Sequence, residues 1–287
     1  MKKPLLILPF DHRNSFKKLL EHPTPEEITH LKTLVFEGFL KTFKKYQHDE
    51  YFGILVDEQY GSEIIKRANE LQIQTAVPVE ASGLELFEFE YGEEFGEHIE
   101  NLNPTFAKVL VRYNPAPQKK DKNQDQLAKL KKLSDYCKDT NRKLLFELLV
   151  PPTQTERMNP NYETEVRPEN TAQALREINK CVDVTIWKLE GTTEEGWNLI
   201  LPEIDREEGV IVLGRGEDRG QVQTWLKTAS KFDQVIGFAI GRTIFAEPLE
   251  KYITQEASEE ETINTISKNF KDFVDLWYEA KGLKALL

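Results

Sequence analysis

Lys188 closes a short β-branched and aromatic run, Val184-Thr-Ile-Trp-Lys-Leu189, that is followed at once by Glu190 and Gly191. An ammonium at the end of a buried strand must be paired, bound to a ligand, or made neutral by a depressed pKa. A neutral lysine attacks carbonyl carbons, so Lys188 is a candidate imine-forming nucleophile. Lys108 lies in a second apolar run, and alternation along both runs could turn the two side chains to one interior, where each cation would depress the pKa of the other. The alternative is a buried ion pair for each lysine, with Glu147, Glu190 or Glu80 as partner. Lys108 could also stand at the entrance of its strand.

Glu147 sits among large apolar residues in Leu145-Phe-Glu-Leu-Leu149. Isolated there, it would have a raised pKa suited to general acid/base work; beside a lysine it would be a paired anion. Asp11, in Phe10-Asp-His-Arg13, is either a member of the same site or a turn or cap residue ahead of Asn14 and Ser15. Gly214-Arg-Gly216 and Gly241-Arg242 combine free backbone N–H groups with guanidinium forks and have the makings of a phosphate cradle. Arg13, Arg112 and Glu190 join Gly214, Arg215, Gly216, Gly241 and Arg242 as candidate substrate contacts. The alternative is that the glycines only turn the chain and Arg242 caps a helix.

Positioning such residues needs many strand ends in one place. Eight strand-like apolar segments recur along the chain, at residues 5–9, 53–56, 75–79, 107–112, 143–149, 184–189, 209–213 and 235–240. Their near-continuous Val, Ile, Leu and Phe content suits a parallel sheet covered by helices. Helical patterns fall at 25–46, 62–71, 86–101, 125–140, 168–180, 193–205, 218–232 and 259–281, the first opened by Thr24 with Pro25 in the first turn. The polar stretches 115–125 and 151–167 are expected as loops. Strict alternation predicts one (β/α)8 barrel over residues 1–287, with an open doubly wound sheet as the competitor. In such a barrel the chemistry gathers at the C-terminal strand ends, where the candidates above fall, apart from Lys108 and Glu147, which lie within their strands.

Composition narrows the partners. A net charge of −11, from 49 acidic and 38 basic residues, disfavours nucleic acid and anionic membrane surfaces. Cys137 and Cys181 form no C-x-x-C pair, which fits a reducing cytoplasm and neither a disulfide framework nor structural zinc. The N-terminus has no signal-peptide pattern, and no run approaches the roughly 18 apolar residues of a membrane span. Only His12 of the five histidines is at a strand end; His22, His30, His48 and His98 fall in helices or loops, so a zinc site is not expected. Magnesium on Asp57, Glu80 and Glu190 stays open, because it asks for few protein ligands. The spacing Gly214-x-Gly-x-x-x-Gly220 is only a loose relative of a dinucleotide fingerprint, and no cofactor is expected. The aromatic positions Phe270, Phe273, Trp277 and Tyr278 give the last helix an apolar face for the barrel or, in a homo-oligomer, for a neighbour.

The strand-end motifs Leu8-Pro-Phe-Asp-His-Arg13, Val56-Asp-Glu-Gln-Tyr-Gly61, Pro78-Val-Glu-Ala-Ser-Gly83, Lys108-Val-Leu-Val-Arg-Tyr-Asn114, Phe146-Glu-Leu-Leu-Val-Pro151, Trp187-Lys-Leu-Glu-Gly191, Val212-Leu-Gly-Arg-Gly216 and Gly237-Phe-Ala-Ile-Gly-Arg-Thr243 together carry a family resemblance. The chain resembles the DUF2090-type aldolase-like domain fused to the C-terminus of 5-dehydro-2-deoxygluconokinases. More distantly it is similar to the class I tagatose-bisphosphate and sulfofructose-phosphate aldolases. The resemblance implies a Schiff base on Lys188, proton transfer by Glu147, Lys108 and Asp11 as further catalytic residues, and phosphate contacts at Gly214, Arg215, Gly241 and Arg242. It implies a phosphorylated keto sugar or keto-sugar acid as substrate; the fused relatives imply 2-deoxy-5-keto-gluconate 6-phosphate, cleaved to dihydroxyacetone phosphate and malonate semialdehyde. Two motifs depart from the distant aldolases: Gly191 follows Lys-Leu-Glu where they have an apolar residue and proline, and Gly-Arg-Gly replaces a strand end with a small hydroxyl residue. The rival readings are a transaldolase, a metal-dependent barrel lyase, and a noncatalytic sugar-phosphate-binding protein.

Overall fold

The inner and outer faces of the strands carry separate apolar clusters. One consists of strand residues alone, among them Leu5, Ile7, Leu55, Phe106, Leu145, Ile186 and Ile211; the other joins their alternate neighbours, such as Leu6, Leu8, Val109, Phe146, Trp187 and Val212, to the helices. That division is the signature of a closed parallel barrel, whose strands are buried on both faces. In the computed structural model, which describes residues 3–46 and 51–283, β1 (Leu5–Pro9), β2 (Phe52–Leu55), β3 (Gln74–Pro78), β4 (Phe106–Arg112), β5 (Lys143–Leu149), β6 (Ile186–Glu190), β7 (Gly209–Leu213) and β8 (Val235–Ala239) pair in chain order. β8 returns to β1 in parallel, so the sheet is closed and the open-sheet alternative is excluded.

The helices differ from expectation mainly at their ends. A short α1 (Arg13–Lys17) precedes α2 (Pro25–Phe43), whose Thr24 and Glu27 form a reciprocal capping box. α3 (Glu58–Glu70) starts four residues earlier than its apolar pattern, because Asp57 caps it by accepting from Tyr60 N–H. The helix expected over 86–101 shrinks to α4 (Phe95–Leu102). Its first part instead folds back on the end of β3, with Ala81 N–H donating to Glu88 and Glu90 N–H to Val79. The apolar spacing of Phe87 and Phe89 comes from packing under Phe95, not from a helical face.

α5 (Lys120–Asp139) begins inside the expected loop, and α6 (Arg167–Ile178) follows a π-helical turn at Tyr162–Val166. α7 (Glu194–Ile200) gives way at Pro202 to a 3₁₀ turn, Leu201–Glu203, short of the expected 205. α8 (Arg219–Ala229) is followed beyond β8 by α9 (Arg242–Ile253), which was not among the expected helices, and by α10 (Glu259–Ala280). α10 packs on the barrel: Phe270, Phe273 and Trp277 are fully buried, and their rings meet Phe39, Phe52 and Phe238. Among the described residues no helix is long and apolar enough to cross a membrane.

Candidate active site

Glu147 and Lys188 are register partners on β5 and β6, both turned into the barrel. Lys188 Nζ donates toward Glu147 Oε2 at 3.0 Å. Lys108 sits opposite Leu145, two residues lower on the sheet, so its longer side chain climbs a layer to reach the same Glu147 oxygen at 3.1 Å. Its Nζ also meets Glu80 Oε1 at 2.6 Å and Asp11 Oδ2 at 3.1 Å. Lys108 is therefore inside the barrel and not at a strand entrance. Asp11 does not cap α1, whose N-cap is His12; it serves Lys108.

These contacts decide the electrostatics. Burial pushes Lys108 down, but Glu80, Asp11 and Glu147 outweigh it and hold its pKa well above the ordinary lysine value. The expectation that the two lysines depress each other is thus overturned for Lys108: its nearest charges are carboxylates, not Lys188. Burial pushes Glu147 up, yet Lys188 and Lys108 draw it below the ordinary glutamate value. Asp11 is likewise lowered, with Lys108 the chief cation acting against burial. Glu80 is the exception: burial raises its pKa, and Lys108 offsets this only in part. Burial also lowers the neighbouring His12 to about 4, against the pull of Asp11.

Above this cluster opens a cavity of about 380 Å³, lined by Lys188, Glu147, His12, Arg112 and the two glycine-rich strand ends. A second cavity of about 210 Å³ lies on the Asp11, Glu80 and Lys108 side; the two share His12, Leu110 and Arg112 as a wall. A larger groove of about 800 Å³, between α2 and the α9–α10 connection, contains neither lysine.

The arginines arrive at these cavities already engaged. Gly214, Arg215 and Gly216 form a tight turn closed by Glu217 N–H donating to Gly214, with φ of 52° at Arg215 and 81° at Gly216. A side chain at Gly216 would also collide with the Arg242 guanidinium. Arg242 does not cap α9; it donates to the Arg215 carbonyl at 2.6 Å and props the turn. Arg215 holds Glu163 at 2.6 Å and Glu190 at 3.1 Å. Glu190, raised by burial against Arg167 and Arg215, also accepts from Val150 N–H and pairs with arginine and not with Lys108 or Lys188. Arg13 is bidentate on Glu90 and faces the smaller cavity only, while Arg112 donates to the Leu84 carbonyl between the two. The glycines thus turn the chain, and the Arg215 and Arg242 guanidinium groups beside them have protein acceptors.

A family model described as "Uncharacterized protein conserved in bacteria (DUF2090)" matches residues 1–281. The chain belongs to the DUF2090 family. No curated protein sequence matches it. The DUF2090 chain is similar in structure to a fructose-bisphosphate aldolase from Plasmodium falciparum, at a TM-score of 0.71 and 14% identity over 99% of this chain and 92% of that one. It is also similar to an archaeal fructose 1,6-bisphosphate aldolase, at a TM-score of 0.62 and 12% identity over 96% and 94%. Cgl0159 from Corynebacterium glutamicum follows at 0.58 and 13%, over 94% and 86%. At these identities the likeness establishes the barrel.

One buried cation of this DUF2090 chain does not stand out in its sequence, and two features that do, the candidate magnesium carboxylates and Gly191, gain a structural account. Lys32 on α2 is fully buried beside the site, where it donates to Asp57 and to the Phe10 carbonyl and lies 4.7 Å from the Phe16 ring centre. Its place among Ile28, Val35, Phe36 and Phe39 on the buried face of α2 was the available signal. The carboxylates considered for magnesium do not converge: Asp57 serves Lys32, Glu80 serves Lys108 and Glu190 serves Arg215. Among the described residues no cluster of three or more potential metal ligands occurs, and His48 lies outside those residues. The Gly191 departure has a packing cause, since a Cβ there would stand 2.3 Å from the Trp225 side chain.

Proposed function

We propose that the protein is a class I, Schiff-base aldolase acting on a phosphorylated keto sugar or keto-sugar acid. The observation that carries this reading is the single Glu147 oxygen shared by the ammonium groups of Lys188 and Lys108 at the floor of a cavity. Lys188 must surrender a proton to attack a ketone, and Glu147, 3.0 Å away, is placed to take it. Once Lys188 is a neutral carbinolamine nitrogen, Glu147 keeps only Lys108 as a cationic neighbour and binds its proton more tightly. It then protonates the carbinolamine hydroxyl, which leaves as water, and the iminium restores the lost positive charge beside it. The iminium draws the electron pair of the carbon–carbon bond on cleavage.

Lys108, held protonated, supplies a fixed cation next to this chemistry, and Asp11 holds Lys108 in place. The backbone of the Gly214-to-Gly216 turn and of Gly241, with Arg215 and Arg242, would take the phosphate at the β7 and β8 ends; Arg13, Arg112 and Glu190 line the remaining walls. Support comes also from structural neighbours, which include a Schiff-base-forming fructose-1,6-bisphosphate aldolase and an archaeal one with its catalytic lysine bound to a carbinolamine intermediate. The finer substrate, 2-deoxy-5-keto-gluconate 6-phosphate, rests on the resemblance to the kinase-fused domains.

Borohydride reduction in the presence of dihydroxyacetone phosphate, followed by peptide mass spectrometry, tests the reading. A reduced adduct on Lys188 is expected. A folded protein that binds the ketone and yields no adduct there overturns it, and activity abolished by EDTA would favour a metal-dependent lyase instead.

A further inference from the structure

Cleavage of an iminium-activated ketol leaves one proton unaccounted for by Lys188 and Glu147: the one on the hydroxyl β to the imine carbon. Glu147 is the weaker acceptor for this step, since the two lysines that share its Oε2 hold it below the ordinary glutamate value against the effect of burial. Asp11 is a poor acceptor, because Oδ2 is bonded to Lys108 and the cations around it stabilise its ionised form. Glu80 is placed differently. It lies just beyond β3, on the opposite side of Lys108 from Lys188's partner, and walls the 210 Å³ cavity. Its Oε1 accepts from Lys108 at 2.6 Å, while its Oε2 is buried without any hydrogen-bond partner among the described residues. A buried carboxyl oxygen left unmatched is costly unless a ligand completes it.

The two cavities meet at the wall of His12, Leu110 and Arg112, so a substrate whose ketone reaches Lys188 extends its far half past Lys108 toward Glu80. We propose that Glu80 is the general base of the carbon–carbon bond step: its free oxygen takes the proton of the β-hydroxyl on cleavage and returns it to the aldehyde oxygen on condensation. The O–H bond breaks toward Glu80, the oxygen's electron pair forms the aldehyde C=O, and the carbon–carbon pair moves into the iminium to give a neutral enamine. Lys108, bonded to Glu80, faces the oxygen on which negative charge develops. The smaller cavity is then the aldehyde site. Burial keeps Glu80 nearer neutrality than an ordinary glutamate, which suits a group that must both take and return a proton.

This inference rests on the Schiff-base reading, and Glu80→Gln separates the two. Trapping with dihydroxyacetone phosphate and borohydride, together with solvent deuterium exchange at its α-carbon, reports imine and enamine formation on the ketone side. Condensation of the same ketone with glyceraldehyde 3-phosphate, glycolaldehyde or malonate semialdehyde reports the bond step. In E80Q, trapping and exchange are expected within about twofold of wild type while condensation falls by about 10²-fold or more. Failure of wild type itself to trap overturns the underlying reading. Wild-type trapping with E80Q condensing at the wild-type rate overturns the role of Glu80, as does a folded E80Q that loses trapping and exchange in parallel with condensation. A wild type that traps and exchanges but condenses with none of the three aldehydes overturns the aldehyde site. If E80Q does not fold, Glu80→Asp takes its place: condensation lowered with exchange intact supports the role, and any other pattern overturns it.

Discussion

Lys188 Nζ lies 3.0 Å from Glu147 Oε2, the same oxygen that Lys108 reaches at 3.1 Å. Because one carboxylate serves two buried ammonium groups, its removal affects folding and chemistry together. Glu147→Gln leaves two cations facing each other without their shared anion and is expected to cost about 3 kcal/mol of stability, read from the urea midpoint. The same variant should form the borohydride-trapped adduct about 10²-fold more slowly. An adduct formed at the wild-type rate would remove Glu147 from the proton-transfer scheme.

His12 connects the site to acid stability. Its imidazole is lowered to about 4 by burial, against an ordinary value of 6.5. Between those values the unfolded chain binds a proton that the folded protein refuses, so this contribution is complete above pH 6.5 and fades as pH falls through 4. Wild type should therefore lose stability relative to His12→Asn on going from pH 7 to pH 4.5. Parallel stability curves for the two proteins would contradict the assignment.

Glu163 occupies the Arg215 fork that a phosphate would use. It is half exposed, so its pair with Arg215 is worth less than about 1 kcal/mol. Glu163→Gln should tighten dihydroxyacetone phosphate binding about threefold in titration calorimetry, with little change in melting temperature. Unchanged affinity would place the phosphate away from Arg215.

Lys32 and Asp57 form a buried pair that also holds the Phe10 carbonyl, next to Asp11 in the chain. Lys32→Met strands the Asp57 carboxylate and is expected to cost about 3–5 kcal/mol, whereas adding Asp57→Asn should recover part of that loss. Thermal melts of the single and double variants decide between coupling and independent effects.

The barrel was legible in the sequence because parallel strands buried on both faces appear as continuous apolar runs, and the same contrast made Lys108, Glu147 and Lys188 stand out within them. Helix ends were less legible. Packing of Phe87 and Phe89 with each other and with Phe95 imitates an amphipathic helix, and Asp57 extends α3 beyond its apolar stripe. Lys32 passed unnoticed among the many lysines of exposed helix faces, although its neighbours mark the buried face of α2.

Residue order alone thus determined the eight strands, their alternation with helices and the lysine and carboxylate side chains within and after them, whereas closure into a barrel was settled by the pairing of β8 with β1. Tertiary structure decided which charges meet. Lys108 is encircled by Asp11, Glu80 and Glu147, brought from just beyond β1, just beyond β3 and from β5, and so keeps its proton, which is the ion-pair alternative and not the mutual depression by two lysines. Arg215 and Arg242 are engaged by Glu163, Glu190 and a backbone carbonyl instead of standing open. The physical reason is range: burial can be read from local apolar pattern, whereas a buried group's charge state depends on partners a few ångströms away in space and, for Lys108 and Asp11, 97 residues away in sequence.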